Sequence, residues 1–250
     1  MSGIVDPYLK LTRAKKHLDD LDAELAAFKA SAKGYRIERA DDVENQCHVI
    51  KVWLLDAPDQ LSLVAGDAFF CMRSALDQLV WSLAKLTVST PQRTQFPILS
   101  EPASSQKEFR RGLGGVPEDA IHEIEALQPH HRGAAFSRHP LWRLNTLCNI
   151  DKHRRIPVNG SELMVNFDRS VRREDVQCHT TDDHHVMSIP LSMKDRVAVN
   201  PSVTFKVNFG QGNPEDPADT DSVSESREGI WEIYNFVGEI VLPRFARFFS

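Results

Sequence analysis

Cysteine is scarce in this chain of 250 residues, and Cys47, Cys71, Cys148 and Cys178 include no CxxC pair. Their wide, irregular spacing argues against a disulfide framework and leaves them as reduced packing residues. No apolar run approaches the roughly 20 residues that span a bilayer, so no membrane partner is expected. Met1 to Tyr8 lack the basic and apolar regions of an export signal, and a cytoplasmic location is the expectation. An excess of basic residues is missing too. A net charge of −5 disfavours holding nucleic acid by bulk electrostatics, so only local patches remain for that role. These are Lys152 to Arg155, Arg169 with Arg172 and Arg173, Arg110 with Arg111, and His130 to Arg132, each of which reads first as a solvated face. Gly112, Gly114 and Gly115 have no strand before them and lack the spacing of a dinucleotide or P-loop motif. No cofactor is expected.

What is present is helical periodicity. Leu11, Ala14, Leu18, Leu21, Leu25, Phe28 and Ala32 recur at alternating three and four, a seam that either packs on the core or meets a second copy in a homodimer. Core packing is favoured, because three heptads alone rarely hold a dimer together. Residues 35–39 and 47–55 read as a hairpin closed by a turn at 41–45. A second long helix over 59–86 carries Leu63, Phe69, Met72, Leu76, Leu79, Leu83 and Leu86 on one face, with Phe70, Cys71 and Trp81 on another, which marks a central helix. Residues 88–105, with three prolines, form a loop tacked down by Phe96, Ile98 and Leu99. A helix over 117–127 ends at Pro129, and another spans 139–154. The composition then shifts to strands at 162–167, 171–178, 185–191 and 202–209, an antiparallel meander. Residues 211–222 read as disordered. A helix from 224, kinked or ended by Pro243, closes the chain. The expected fold is α+β and mainly helical, a single domain over 1–250. It has a helical bundle core at about 1–155 plus 224–250, an N-terminal β-hairpin, and an antiparallel β-meander at about 160–210 before the last helix.

The densest chemistry lies at the end of the 139–154 helix, where Asn149, Ile150, Asp151, Lys152, His153, Arg154 and Arg155 follow one another. On a helical wheel with Leu141, Leu144, Leu147 and Cys148, Asp151 falls near the centre of the apolar stripe and calls for a partner. Arg73, midway along the central helix, also calls for one, since a buried cation left alone carries a severe desolvation cost. Asp77 is its near partner at i,i+4, while Gln78 and Asp67 face another side. Asp151 is the expected far partner, and an Arg73 to Asp151 bridge predicts that Asp151→Ala destabilises the fold by about 3 to 5 kcal/mol. His153, among cations, suits either a general base or a cap of the helix C-terminus. The run His179, Asp182, Asp183, His184 and His185 has the composition of a metal site but lies in a turn where polar residues belong, so no metal is expected. Ser74 and Cys71 lack an adjacent base and are not read as nucleophiles.

Several segments carry a resemblance: Arg13-Ala14-Lys15-Lys16-His17-Leu18, Gly66-Asp67 through Arg73-Ser74-Ala75-Leu76-Asp77, Phe96-Pro97-Ile98, Gln128-Pro129, and Asn149 through Arg154. Over residues 8–155 they resemble a group of bacterial proteins marked by the Asp-Lys-His-Arg helix motif. The central helix further resembles the HEPN superfamily of all-helical domains, whose members often dimerise and whose ribonucleases carry an Arg, four to six residues, then a His. Arg73 matches that Arg, while Gln78 stands where the His would be, and Gln cannot accept and return a proton near neutral pH. The resemblance therefore implies a non-catalytic binding or scaffold protein. Its site would use Arg73 and His153 with Asp77, Gln78, Asp151, Lys152 and Arg154, for RNA or a nucleotide. The alternatives are a metal-independent ribonuclease, with Arg73 stabilising charge and His153 or His17 as the base, and a structural oligomer built on the first helix.

Overall fold

The computed structural model describes residues 5–30, 35–54, 58–153, 158–159, 162–181, 184–202, 206–208 and 224–249. The protein is α+β and mainly helical, with an antiparallel sheet. It divides into two compact units. One comprises residues 1–22, 62–157 and 208–250, the other residues 23–61 and 158–207. Among the described residues no helix is long and apolar enough to cross a membrane.

The helical unit draws on α1 (Val5–Ala30), α2 (Asp59–Ala84), α3 (Gln106–Phe109), α4 (Glu118–Ala126), α5 (Pro140–His153), α6 (Arg227–Asn235) and α7 (Leu242–Arg244). The α1 seam is used inside the chain: Leu11, Ala14, Leu18, Leu21, Leu25 and Phe28 are all buried. A seam covered in this way is not a free dimer contact, as the preference for core packing anticipates. Helix α2 is central, with Phe69, Met72, Leu76, Leu79 and Leu83 sealed from solvent. Leu63 and Phe70, expected to be packed, are instead 55% and 56% exposed, so one stripe of α2 stays open.

Helices α3, α5 and α6 start on side-chain caps. Glu108 donates its backbone N–H to the Ser105 hydroxyl at 3.2 Å, Leu141 donates to His139 Nδ1 at 3.2 Å, and Gly229 donates to the Ser226 hydroxyl at 3.3 Å. These satisfy N–H groups that a helix start leaves open. The closing helix differs from expectation. It begins only at Arg227, passes through a π turn at Phe236–Val241, and resumes as α7. Pro243 follows directly on the π turn, where the Leu242 N–H still reaches the Val237 carbonyl, and the helix runs through it to end at Arg244. The π turn brings Gly238 onto α1, where a β-carbon would fall 2.9 Å from Leu11 Cδ2. Arg244 and Arg247 hold this end of the chain to Glu123 on α4.

The second unit contains β1 (Tyr35–Asp42), β2 (Cys47–Leu54), β3 (Val158–Asn159), β4 (Glu162–Phe167), β5 (Gln177–Thr180), β6 (His185–Pro190), β7 (Val197–Ser202) and β8 (Lys206–Asn208). The β1–β2 hairpin forms in the expected place. It does not stand apart from the meander, because β2 pairs antiparallel with β6 to give a sheet of order β1-β2-β6-β5. Ile50, Val52, Met187, Ile189 and Val197 form its core. A strand expected over 171–178 is interrupted by a 3₁₀ turn at Arg173–Asp175, and β7, which pairs with β4, occupies sequence read as a connection. The stretch 211–222, read as disordered, lies outside the described residues, as do Arg154 and Arg155.

Candidate functional site

Arg73 is 7% exposed, held on α2 where the helix is otherwise lined by apolar side chains. Its Nη2 donates to the Phe96 carbonyl at 2.7 Å and lies 3.2 Å from Asp77 Oδ1. Asp77 Oδ1 in turn accepts the Phe96 N–H at 2.9 Å. The pair one helical turn apart therefore grips both backbone groups of a single residue in the proline-rich loop. That arrangement explains why an irregular segment stays in place beside a buried helix: its polar backbone has found buried partners. One donor is left over. Arg73 Nη1 is buried and makes no hydrogen bond.

Helix α5 supplies the opposite wall. Cys148 is buried beside the Arg73 and Asp77 charges, and burial pushes its thiol up to about 12 against the opposing pull of Arg73 and Lys152. A thiol so far above neutral pH is a packing group and no nucleophile. Burial also raises the Asp77 carboxyl above its ordinary value, against the opposing influence of Arg73, the Phe96 amide and Lys152. The cations stabilise the carboxylate incompletely, so the ion pair is held at a cost.

Asp151 is not where the sequence placed it. Its carboxylate lies on Gly66, so closely that a β-carbon on Gly66 would stand 2.4 Å from Asp151 Oδ1. Gly66 precedes Arg73 by two helical turns, about 10 Å along the axis. The expected Arg73 to Asp151 bridge is absent among the described contacts, and Arg73 pairs with Asp77 instead. The wheel put Asp151 in the apolar stripe correctly enough to bring it against α2. It did not foresee that the last turn of α5 opens to solvent, where Asp151, Lys152 and His153 are all exposed. Although the residue is exposed, the face of its carboxyl laid against Gly66 is desolvated, and this together with the nearby Asp67 raises the group above its ordinary value.

The structure thus brings together Arg73, Asp77, Cys148 and the Phe96 backbone. Asp151, Asp67 and Gly66 sit two turns away along α2, with Lys152 close enough to Asp77 to act on its charge. Gln78 stands about 140° round the helix from Arg73. Its Oε1 is a buried acceptor without a partner, as is the hydroxyl of Ser82 one turn on. Arg154 lies outside the described residues. His17 accepts from Arg13 Nε at 3.1 Å, on α1. Of the histidine-rich turn, His185 Nδ1 lies 3.0 Å from Thr180 Oγ1 and His184 Nδ1 lies 2.8 Å from Thr181 Oγ1, while Asp182 and Asp183 are outside the described residues.

Sequence reasoning missed two contributors to this site and one pairing in the other unit. The Phe96 backbone carries no side-chain signal, although Phe96-Pro97-Ile98 was recognisable as an anchor. Gly66 was visible only as part of a segment, and its reason is the carboxylate lying on it. His48 in the second unit is buried, with Nδ1 2.5 Å from Asp41, whose other oxygen accepts from Lys194 Nζ at 2.9 Å. It belongs to the cross-strand pair Asp41 and His48, and a hydrogen-bonded pair across a hairpin is not apparent until the register is known.

Comparison with protein-family models, curated proteins and solved structures gives no match for this chain.

Proposed function

We propose that the protein is a non-catalytic, HEPN-like binding protein that recognises a nucleotide or an unpaired RNA base with Arg73 and the exposed end of α5. The observation that carries this reading is the buried guanidinium with an unpartnered Nη1. A donor kept out of water without an acceptor costs roughly 1 to 3 kcal/mol, more when charged, and a ligand acceptor removes that cost. The surroundings favour a base over a bare phosphate. Asp67, Asp77 and Asp151 outnumber Arg73 and Lys152, which disfavours seating a phosphate among these side chains, whereas a base edge offers acceptors to the guanidinium and amino groups to the carboxylates and leaves the phosphate of a nucleotide in solvent. The absence of a base on Gln78, and a Cys148 thiol held near 12, support binding over chemistry.

The test is fluorescence anisotropy with a labelled single-stranded RNA and GMP as competitor, without metal. Wild type is expected to bind, GMP to compete, Arg73→Met to weaken binding at least tenfold, and the RNA to be recovered intact. Equal binding by wild type and Arg73→Met, or none by wild type, overturns the proposal. Cleavage that disappears in both Arg73→Met and His153→Ala would establish the second reading, a metal-independent ribonuclease.

A further inference from the structure

The last turn of α4 and the 3₁₀ segment after it (Pro129–Arg138) bring three metal-ligating side chains to one point. His131 Nε2 lies 3.0 Å from Glu125 Oε1, and His130 Nε2 lies 3.7 Å from the same oxygen. All three ligand atoms fall within 4.8 Å of one another. The platform beneath them is firmly held. The Gln128 side chain, 1% exposed, accepts from Leu99 N–H at 3.0 Å and donates to the carbonyls of Pro97 at 3.0 Å and Ile124 at 2.9 Å. The His130 N–H donates to the Leu99 carbonyl at 3.2 Å.

A hydrogen bond from His131 to Glu125 accounts for part of this geometry, since His131 Nε2 lies 3.0 Å from both a carboxylate oxygen and the carbonyl of Glu125. It does not account for His130. That side chain is 9% exposed, is aimed at the carboxylate from beyond hydrogen-bond reach, and makes no hydrogen bond to any described residue. The His130 ring packs against the His131 ring at a centroid distance of 4.2 Å, and with both imidazoles turned to the same carboxylate the three groups form a donor set that can close on an ion. Ligands about 2.0 to 2.1 Å from a tetrahedral zinc ion are about 3.3 Å from each other, and the separations of 3.0 and 3.7 Å bracket that value. Glu125 and His131 are roughly half-exposed and free to make the small adjustment. Arg132, the nearest cation in sequence, is turned to the Arg138 carbonyl.

We infer that Glu125, His130 and His131 form a site for a divalent transition-metal ion of the zinc class. Two nitrogens and one carboxylate oxygen leave a coordination position for water, the pattern of an open site as opposed to a closed structural one. Glu125 and His130 also line a cavity of about 200 Å³ with Leu99, Ser105, Gln106 and Phe109, and this cavity provides room for that water or a small ligand. Nothing in the inference depends on Arg73, so the two proposals stand or fall separately.

The experiment uses the full-length chain stripped with chelator. Calorimetric titration with zinc chloride and visible spectra with cobalt(II) are compared between wild type and the Glu125→Gln/His131→Ala double variant. Both substituted side chains are about half-exposed, and metal-free melting curves verify that the variant is folded. The expected result is one ion per chain in wild type, cobalt d–d bands of a low-coordinate nitrogen and oxygen site, and at least a hundredfold weaker binding by the variant. Failure of wild type to bind micromolar zinc overturns the proposal. So does equal binding by the variant, the result expected if the ion sits on other histidines.

Discussion

The two ends of α5 handle buried charge in opposite ways. Near its start, Arg143 is as deeply buried as Arg73 and makes good contacts: Nη1 donates to Glu232 at 2.7 Å and Nη2 to the Gly229 carbonyl at 2.8 Å, tying α5 to α6. Near its end, Arg73 of α2 faces Cys148, keeps an unpartnered Nη1, and shares its ion pair to Asp77 with a loop backbone. The same residue type at the same burial is a tie in one place and an open valence in the other. Burial of an arginine therefore says little about its role until each nitrogen has been followed to its acceptor.

The largest effect that would break this comparison is on stability. Arg143→Met removes two charge-assisted bonds. The Glu232 contact is discounted because that carboxylate is 62% exposed, so the expected loss is about 2 to 3 kcal/mol, mainly from the stranded Gly229 carbonyl and lost packing. Arg73→Met combined with Asp77→Asn removes an incompletely satisfied buried pair, of a kind often replaced by apolar groups at little loss, but strands the Phe96 carbonyl, so the expected cost is smaller than that of Arg143→Met without vanishing. Urea midpoints at constant m-value measure both. Equal losses would mean that Arg73 is as structural as Arg143.

That contrast was only half legible in the sequence. The hairpin, the long helices and the burial of the α1 seam follow from periodicity, because apolar spacing and burial are two forms of the same constraint. Pairing is not encoded that way. The wheel placed Asp151 on the inner face but could not reveal that helix α2 meets it with Gly66, leaving Arg73 to Asp77 and Phe96. The convergence of Glu125 with His130 and His131 was hidden for the same reason, because it depends on a 3₁₀ turn whose side-chain directions differ from those of a helix. The π turn at Phe236–Val241 left no sequence trace beyond Gly238, whose closeness to Leu11 appears only in three dimensions.

A sharper version of the comparison uses pH. His139 caps the well-partnered end of α5, accepting the Leu141 N–H with Nδ1 while its ring meets Phe236 edge to face at a centroid distance of 5.1 Å. Burial, with help from Arg132 and His131, lowers it from 6.5 to about 4. As pH falls below 6.5 the unfolded imidazole gains a proton that the folded one refuses, so stability is full above 6.5 and declines toward 4. The loss over that window is on the order of 3 kcal/mol. His139→Asn, which retains an acceptor but does not titrate, is expected to flatten the dependence. A variant with the wild-type pH profile would place the titration elsewhere.

The smallest effect tests the open end. A bridged Asp151 would make Asp151→Ala cost about 3 to 5 kcal/mol, but the carboxylate lies exposed on Gly66 with Asp67 as its charged neighbour. A carboxyl raised in the folded state disfavours the fold when ionised, and the sign is therefore reversed from that of a salt-bridged acid. Asp151→Asn is expected to be no less stable than wild type at neutral pH, with the difference closing as acid protonates the wild-type group. Gly66→Ala pushes the carboxylate aside but gains about 1 kcal/mol of helix propensity, so its melting curve should stay within about 1 kcal/mol of wild type. If both substitutions leave the fold intact and yet weaken RNA or GMP binding, Asp151 is part of the recognition surface. If either unfolds the protein, the end of α5 is as firmly tied as its beginning.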